Sequence, residues 1–292
     1  MPALHSVTLV GGWAFTFEEL VTSPVFFPKL EELTVSEVSL SEMTSLLTSF
    51  PAHHSFKAIS LVMQTDATGE EWEVEAFIQA LCSHCNPATL THLRLTLFDE
   101  MPWEDFDWTL DCHVLIALRQ FTQLREFSIK THRIQWTDQF LKDFAPSWGS
   151  LRILEISSGD MLRSSQPAEF NFTMESLIPL ATFCPNLHII TLELYNWDAP
   201  NPALMQVIPR PSLKEQTSLP MVHVCLGHSS YAPPKNLRVE RRVATVLKAL
   251  FPNVRSAWNA GVEFWIRHDW PEYQDLTQEG YAIRFGPVVP LW

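Results

Sequence analysis

The apolar positions of the chain repeat one pattern, L-x-x-L-x-L, and sequence of helical periodicity lies between successive copies. In the four clearest copies the apolar residues are Leu90, Leu93 and Leu95; Leu124, Phe127 and Ile129; Leu151, Leu154 and Ile156; and Leu187, Ile190 and Leu192. Weaker copies begin at positions 4, 30, 56, 221 and 254, so that copies start 26 to 36 residues apart. An internal repeat of this length predicts a fold built by stacking one strand-helix unit.

Within each copy, apolar and polar residues alternate, as in His92-Leu93-Arg94-Leu95-Thr96. This alternation indicates strands with one buried and one open face, because parallel strands covered on both faces are apolar throughout. The pattern is typical of a leucine-rich-repeat solenoid, an α/β fold shaped as a curved horseshoe with parallel strands on its concave face and helices on its convex face. We expect about nine irregular repeats in residues 1–260 and an irregular, aromatic-rich C-terminal cap in residues 261–292.

The segments between strands show helical stripes at i, i+3, i+4 and i+7, as in Met43, Leu46, Leu47 and Phe50. Thr137 or Asp138 is a candidate N-cap for a later helix. The joint from helix to strand also recurs, as Phe27-Pro28-Lys29-Leu30, Cys184-Pro185-Asn186-Leu187 and Phe251-Pro252-Asn253-Val254. Proline ends each helix there and leads the chain into the strand in an extended conformation.

The polar positions of the strands predict the composition of the open face, which is polar and mixed in sign. The expected members are Glu32, Thr34, His92, Arg94, Glu126, Ser128, Lys130, Glu155, Ser157, Thr191 and Glu193. This register places Leu154 in the core, where truncation to alanine removes about 2–5 kcal/mol of stability. Arg94→Ala, on the open side, is expected to change stability by less than about 0.5 kcal/mol.

Composition and charge narrow the classes of partner. The net charge of −13 opposes a phosphate backbone, so we expect no nucleic acid. From Asp66 to Asp111 there are eleven acidic residues and one basic residue, Arg94, which favours a basic or neutral protein partner. No apolar run is long enough to span a membrane, and the first ten residues lack the features of a signal peptide. Five cysteines, an odd number, fit reduced thiols in the cytoplasm or nucleus.

Two clusters have the residue types of metal ligands, but each lacks part of the required pattern. Cys82-Ser83-His84-Cys85 has no second pair at zinc-ligand spacing, and Cys82 lies on the apolar stripe of its helix. Asp105, Asp107 and Asp111 alternate as calcium ligands do, yet the loop glycine and the final glutamate are missing. No catalytic or nucleotide-binding motif is present. The sequence therefore predicts neither a metal nor another cofactor.

Tryptophans follow several strands and have two interpretations. Trp103 and Trp108 lie in an acidic insertion after the strand that contains Arg94, and Trp136 and Trp197 follow later strands at similar offsets. These side chains either pack back on the scaffold or anchor a partner, since tryptophan is enriched in binding hot spots. The expected partner-binding residues are His92, Arg94, Trp103, Trp108, Glu126, Lys130 and Trp136.

A family resemblance is found in Leu177-Ile178-Pro179-Leu180-Ala181-Thr182-Phe183-Cys184-Pro185-Asn186-Leu187, and in Leu226-Gly227-His228-Ser229-Ser230 with Leu250-Phe251-Pro252-Asn253-Val254. With these residues nearly the whole chain resembles the C-terminal leucine-rich region of F-box proteins from mushroom-type fungi. In that family an N-terminal F-box docks on a cullin ubiquitin-ligase adaptor, and the repeats hold the protein to be ubiquitinated. No L-P-x-E-[IL]-L motif precedes Leu4. The resemblance therefore implies substrate recognition by the repeats, whereas the missing motif argues against the cullin-ligase adaptor as a partner.

These observations predict a non-catalytic protein-binding module, with substrate recognition for an F-box-type ubiquitin ligase as its implied context. Two alternatives remain open. One is a scaffold protein with no link to ubiquitin, and the other is an enzyme whose site is assembled from distant repeats.

Overall fold

The computed structural model describes residues 4–10, 27–63, 71–97, 110–131, 134–157, 170–196, 222–225, 245–259 and 262–265. With strands numbered along the chain, the main sheet consists of β1 (Ser6–Val10), β2 (Glu32–Val38), β3 (Ala58–Met63), β4 (His92–Leu97), β6 (Glu126–Thr131), β8 (Ile153–Ser157), β10 (Ile189–Leu192), β12 (Val222–Cys225), β13 (Val254–Asn259) and β14 (Val262–Trp265). These ten strands pair in that order. Every neighbouring pair is parallel except β13 and β14, and the sheet ends at β1 and β14 without closing.

The predicted strand register is confirmed, because each copy of the apolar pattern begins at or just before a strand of the main sheet. In β4, Leu93 and Leu95 are buried whereas His92 and Arg94 are exposed. Leu154 of β8 is also fully buried. One face of β2, β3, β4 and β8 is therefore buried against the rest of the chain, as period-two alternation requires. In β6, by contrast, the residues from Glu126 to Ile129 are buried on both faces.

Five of the joints that lead into strands share one turn, in which a backbone N–H donates to the carbonyl three residues earlier. The bonds run from Leu30 to Phe27 (3.0 Å), from Leu124 to Phe121 (3.2 Å), from Leu151 to Trp148 (2.9 Å), from Leu187 to Cys184 (3.2 Å) and from Val254 to Phe251 (2.9 Å). At Phe56 and Leu90 the N–H donates instead to the carbonyls of His54 and Asn86. Three of the five turns have proline at the second position, where its fixed φ suits the turn. Helices end just before Pro185 and Pro252, as predicted, but the proline there begins a turn instead of an extended segment.

The helices pack side by side on the buried face of the main sheet. They are α1 (Leu40–Ser49), α2 (Glu71–His84), a 3-10 helix (Cys112–Gln120), α3 (Asp138–Phe144) and α4 (Leu177–Phe183), with short 3-10 turns at Ala145–Ser147 and Met174–Ser176. Residues 245–250 are also helical. Among the helices in the described ranges, none is long and apolar enough to cross a membrane.

Helix α1 illustrates how the sequence determines a helix start and a buried stripe. The Ser39 hydroxyl accepts from the Glu42 backbone N–H at 3.2 Å, and the Glu42 carboxylate accepts from the Ser39 backbone N–H at 2.8 Å. This reciprocal capping box satisfies two N–H groups that have no partner inside the helix. The predicted stripe of Met43, Leu46 and Leu47 is buried.

A second, four-stranded sheet was not predicted from the sequence. It consists of β5 (Leu110–Asp111), β7 (Ile134–Thr137), β9 (Phe170–Thr173) and β11 (Leu194–Asn196), in the order β11-β9-β7-β5 with all pairs parallel. Asp138, a predicted helix cap, instead links neighbouring repeats. Its carboxylate accepts from the Thr173 backbone N–H at 2.8 Å and from the Thr173 hydroxyl at 2.6 Å.

The predicted C-terminal cap lies mainly outside the described residues. Within residues 261–292, the structure describes β14, which pairs antiparallel with β13 at the end of the main sheet. The reversal of strand direction begins where the apolar repeat pattern stops in the sequence.

Candidate functional site

The candidate site is the face of the main sheet opposite the helices, which we call the open face. Because successive side chains of a strand point to opposite faces, its members alternate with the buried leucines. Its described members on β2 to β10 are Glu32, Thr34, Ser60, Val62, His92, Arg94, Glu126, Ser128, Lys130, Ile153, Glu155, Ser157, Ile189 and Thr191. Parallel pairing aligns them in rows, one of which runs Ser60, Arg94, Ser128, Glu155 and Thr191.

An ion pair joins β4 to β6 on the open face. Arg94 Nε donates to Glu126 Oε1. The side chains differ in exposure, at 59% for Arg94 and 9% for Glu126. The hydrogen bond with Glu126 is the main cause of the raised pKa of the Arg94 guanidinium. Arg94 thus serves as the counter-charge for a carboxylate that water scarcely reaches.

A second set of contacts joins β6 to β8. The Ser128 hydroxyl donates to Glu155 Oε2 at 2.7 Å, and Lys130 Nζ lies 3.2 Å from Glu155 Oε1. The Lys130 and Glu155 side chains are 35% and 30% exposed. Together with the pair between Arg94 and Glu126, these contacts give a fixed pattern of two positive and two negative groups over three strands. These contacts hold all four charged side chains in position on the sheet.

We call Arg94, Glu126, Lys130 and Glu155 the charged centre. Apolar side chains border the charged centre on the open face. Val62 is 37% exposed on β3, and Ile189 is 38% exposed on β10. Ile153 of β8 lies between them, half-buried, and pairs in register with Glu126 on one side and Ile189 on the other. A charged centre with apolar flanks suits protein recognition, in which packed apolar contacts provide affinity and charges provide orientation.

The structure brings together four of the seven predicted partner-binding residues. His92 and Arg94 are exposed on β4, and Lys130 is partly exposed on β6. Glu126 lies on the same face, but the residue as a whole is only 7% exposed and its carboxylate accepts a hydrogen bond from Arg94. Glu193, which was also expected on this face, is 7% exposed between β10 and β11 and is not a surface group.

The prediction that Trp136 belongs to the binding surface is wrong, because its side chain lies in the core. It belongs to β7 and is 0% exposed. Its ring lies 4.9 Å from that of Phe140 and 6.0 Å from that of Phe172. The short second sheet turns this position inward, which the spacing of tryptophans after strands could not reveal. Trp103, Trp108 and Trp197 lie outside the described residues.

The cysteines and histidine of the predicted half zinc site serve other contacts. Burial raises the pKa of the Cys82 thiol to about 11 and that of the Cys85 thiol still higher, which disfavours the thiolates that zinc requires. His84 Nδ1 lies 2.9 Å from the Phe50 carbonyl oxygen. In the described ranges, no group of three or more His, Cys, Asp or Glu side chains could hold a metal ion.

Of the three aspartates that alternate as calcium ligands do, the structure describes only Asp111. Its carboxylate accepts from the His113 backbone N–H at 2.9 Å and caps the 3-10 helix Cys112–Gln120. Asp105 and Asp107 lie outside the described residues.

Arg94→Ala is expected to lower the free energy of unfolding by about 1–2 kcal/mol, because it leaves the buried Glu126 carboxylate without its partner. This loss is larger than the change of less than about 0.5 kcal/mol that the sequence predicts from the exposure of Arg94 alone. Lys130→Ala is the matched control, since it removes a cation from the more exposed Glu155 and should cost at most about 1 kcal/mol. Urea denaturation of both variants measures the difference. Equal losses would show that the ion pair with Glu126 contributes nothing beyond a surface contact.

Comparisons with known proteins complete the description of the site: no protein-family model matches the chain, and no curated protein matches its sequence.

Proposed function

We propose that this protein is a non-catalytic protein-binding module whose open face is the binding surface. The observation that supports this function best is the in-register charged centre with its apolar flanks, formed by side chains from successive strands. A binding surface of about 1,200–2,000 Å² requires side chains from several strands. The rows of the open face supply side chains from successive strands.

The finer architecture in this proposal is a leucine-rich-repeat solenoid, a horseshoe with the open face on its concave side. Two observations support it. The L-x-x-L-x-L positions coincide with parallel strands of one sheet, and the same turn precedes five of these strands. Helices that pack side by side on one face of a sheet take up more width than the strands, which favours curvature away from the helices. A concave strand surface suits a rounded protein partner.

A narrower form of the proposal is substrate recognition in an F-box-type ubiquitin ligase. Its support is the resemblance of segments such as Leu177 to Leu187 to the repeat region of fungal F-box proteins. In this form the open face holds the protein to be ubiquitinated. The cullin adaptor would have to be reached through another protein or another segment.

Affinity capture from native lysate with a matched pair of variants tests the binding surface. Lys130→Glu inverts a charge on the open face, and Lys142→Glu makes the same change at an exposed position of α3 on the opposite side. We expect Lys130→Glu to reduce recovery of specific partners at least about fivefold, since misplaced charges oppose association. Lys142→Glu should leave recovery unchanged.

Three results of the capture experiment distinguish the forms of the proposal. Loss of partners with Lys142→Glu but not with Lys130→Glu would place binding on the helices and refute the open-face proposal. Cullin adaptor among the proteins lost with Lys130→Glu would support the ligase form. Specific partners without any ligase component would favour a scaffold protein.

A further inference from the structure

A second row of side chains lies at the amino-terminal edge of the main sheet, immediately before β6, β8 and β10. It consists of Arg125, Arg152 and His188, all of them exposed. The Arg152 backbone N–H donates to the Arg125 carbonyl at 2.7 Å, and the His188 backbone N–H donates to the Arg152 carbonyl at 2.7 Å. The three residues therefore occupy consecutive rungs, about 4.8 Å apart along the row. We call this row the basic edge.

Neither Arg125 nor Arg152 forms an ion pair within the described ranges. By contrast, Lys57, in the same row two rungs before Arg125, lies 2.7 Å from the Glu31 carboxylate. Like charges on adjacent strands destabilise a sheet. An anion bound between the two guanidinium groups would remove that repulsion.

Apolar side chains adjoin the basic edge on the open face. Ile153 follows Arg152 in sequence, Ile189 follows His188, and the two isoleucines pair on adjacent strands. Ile189 is 38% exposed, which is high for a large aliphatic side chain. The edge therefore offers two arginines and a histidine next to a partly exposed apolar pair.

We propose that the basic edge binds an acidic peptide segment of a partner protein. The carboxylates of the segment receive hydrogen bonds from Arg125 and Arg152, since a guanidinium matches a carboxylate in a bidentate arrangement. An apolar side chain of the segment covers Ile153 and Ile189. This assignment rests on the proposed binding function and adds the chemistry of the partner.

Two features favour a peptide over a nucleic acid. The net charge of −13 repels a long phosphate backbone but weakly opposes a few carboxylates that lie directly on the cations. Apolar Ile153 and Ile189 match an aliphatic side chain and have no role toward a phosphate. The acidic segment Asp66–Asp111, from which a basic or neutral partner was predicted, is separate in sequence from the basic edge.

Fluorescence anisotropy with short labelled peptides tests the proposal on the full chain. The probe alternates glutamate and leucine, one control peptide replaces glutamate by glutamine, and another replaces leucine by serine. We expect the probe to bind with a Kd that rises with salt, and both control peptides to bind at least about fivefold more weakly. Arg125→Ala and Arg152→Ala should each raise the Kd of the probe about tenfold, and Arg152→Lys should raise it less.

Lys142→Ala is the matched control variant, because Lys142 is an exposed cation on α3, on the opposite side of the main sheet from the open face. It should leave the Kd of the probe unchanged. Circular dichroism verifies that the arginine variants are folded, as expected for exposed side chains.

Several outcomes would overturn the proposal. It fails if the glutamine peptide binds as tightly as the probe, or if neither arginine variant changes the Kd. It also fails if an oligothymidylate binds in an arginine-dependent manner while the probe does not, since the edge would then be a nucleic-acid site. Each of these results leaves the capture test with Lys130→Glu unaffected, so failure of the basic edge is distinct from failure of the open-face function.

Discussion

Trp136→Ala is expected to lower the free energy of unfolding by about 3–5 kcal/mol, the range for truncating a large aromatic side chain in a core. The indole is 0% exposed and contacts rings from α3 and β9. The surrounding residues belong to two different repeats and to the second sheet, so they cannot easily close around the cavity. Chemical denaturation monitored by circular dichroism measures the loss.

The matched control for Trp136 is Trp72→Ala, which removes the same side chain from a position on α2 that is 59% exposed. Its cost should stay near 1 kcal/mol or below, since partly exposed surface substitutions change stability little. If the two variants were equally stable, Trp136 would not be a core residue, and its original interpretation as a partner anchor would regain support.

Leu154→Ala is expected to remove about 2–5 kcal/mol of stability, because it leaves a cavity under the middle of the main sheet. Leu154 is 0% exposed and pairs in register with Phe127 of β6 and Ile190 of β10, which are both buried. Loss of this side chain therefore removes packing from three neighbouring strands. Urea denaturation measures this loss as a lower midpoint concentration of urea at an unchanged m-value.

The neighbouring residue provides a strict control for the strand register. Ile153 is half-buried on the open face, so Ile153→Ala should cost less than half as much as Leu154→Ala. A shift of one residue in register would exchange the two faces of β8. The reverse order of stabilities would therefore show that the open face had been assigned to the wrong side.

The main sheet could be predicted from the sequence because the apolar pattern of its strands is repeated along the chain. A single L-x-x-L-x-L segment such as Leu90 to Leu95 is ambiguous, but nine segments with the same apolar spacing reinforce one another. Burial of alternate residues then assigns polar positions such as Arg94 and Lys130 to the open face. The order of the strands follows from the order of the repeats along the chain.

The second sheet and the details of the site could not be predicted in the same way. Strands as short as Leu110–Asp111 contain too few residues to show any periodicity. The pair of Arg94 and Glu126 joins residues 32 positions apart, and its geometry depends on the register of β4 with β6. Trp136 was misassigned because its burial depends on Phe172 of the following repeat, which local sequence does not reveal.

The basic edge had no sequence signal, because its members are single residues in separate repeats. Arg125 is followed by Glu126, whereas Arg152 and His188 stand between apolar residues, so the local sequence shows no basic cluster. Only the ladder of backbone bonds brings the three residues onto consecutive rungs. A comparison of the residue that precedes each predicted strand would have found them. Aligning the residue before each strand, from repeat to repeat of a single chain, therefore identifies rows of this kind.

Each row of the open face takes one side chain from each strand, so a binding surface on this face, as proposed, would change in steps of one strand-helix unit. Duplication or deletion of one strand-helix unit would lengthen or shorten every row by one residue and leave the pairing of the remaining strands intact. The spacing between the charge pattern on β4 to β8 and the isoleucines on β8 and β10 could thus change in steps of about 4.8 Å, without a new core. Lineages that carry such a fold can acquire new partners by changing the number of units as well as by point substitution.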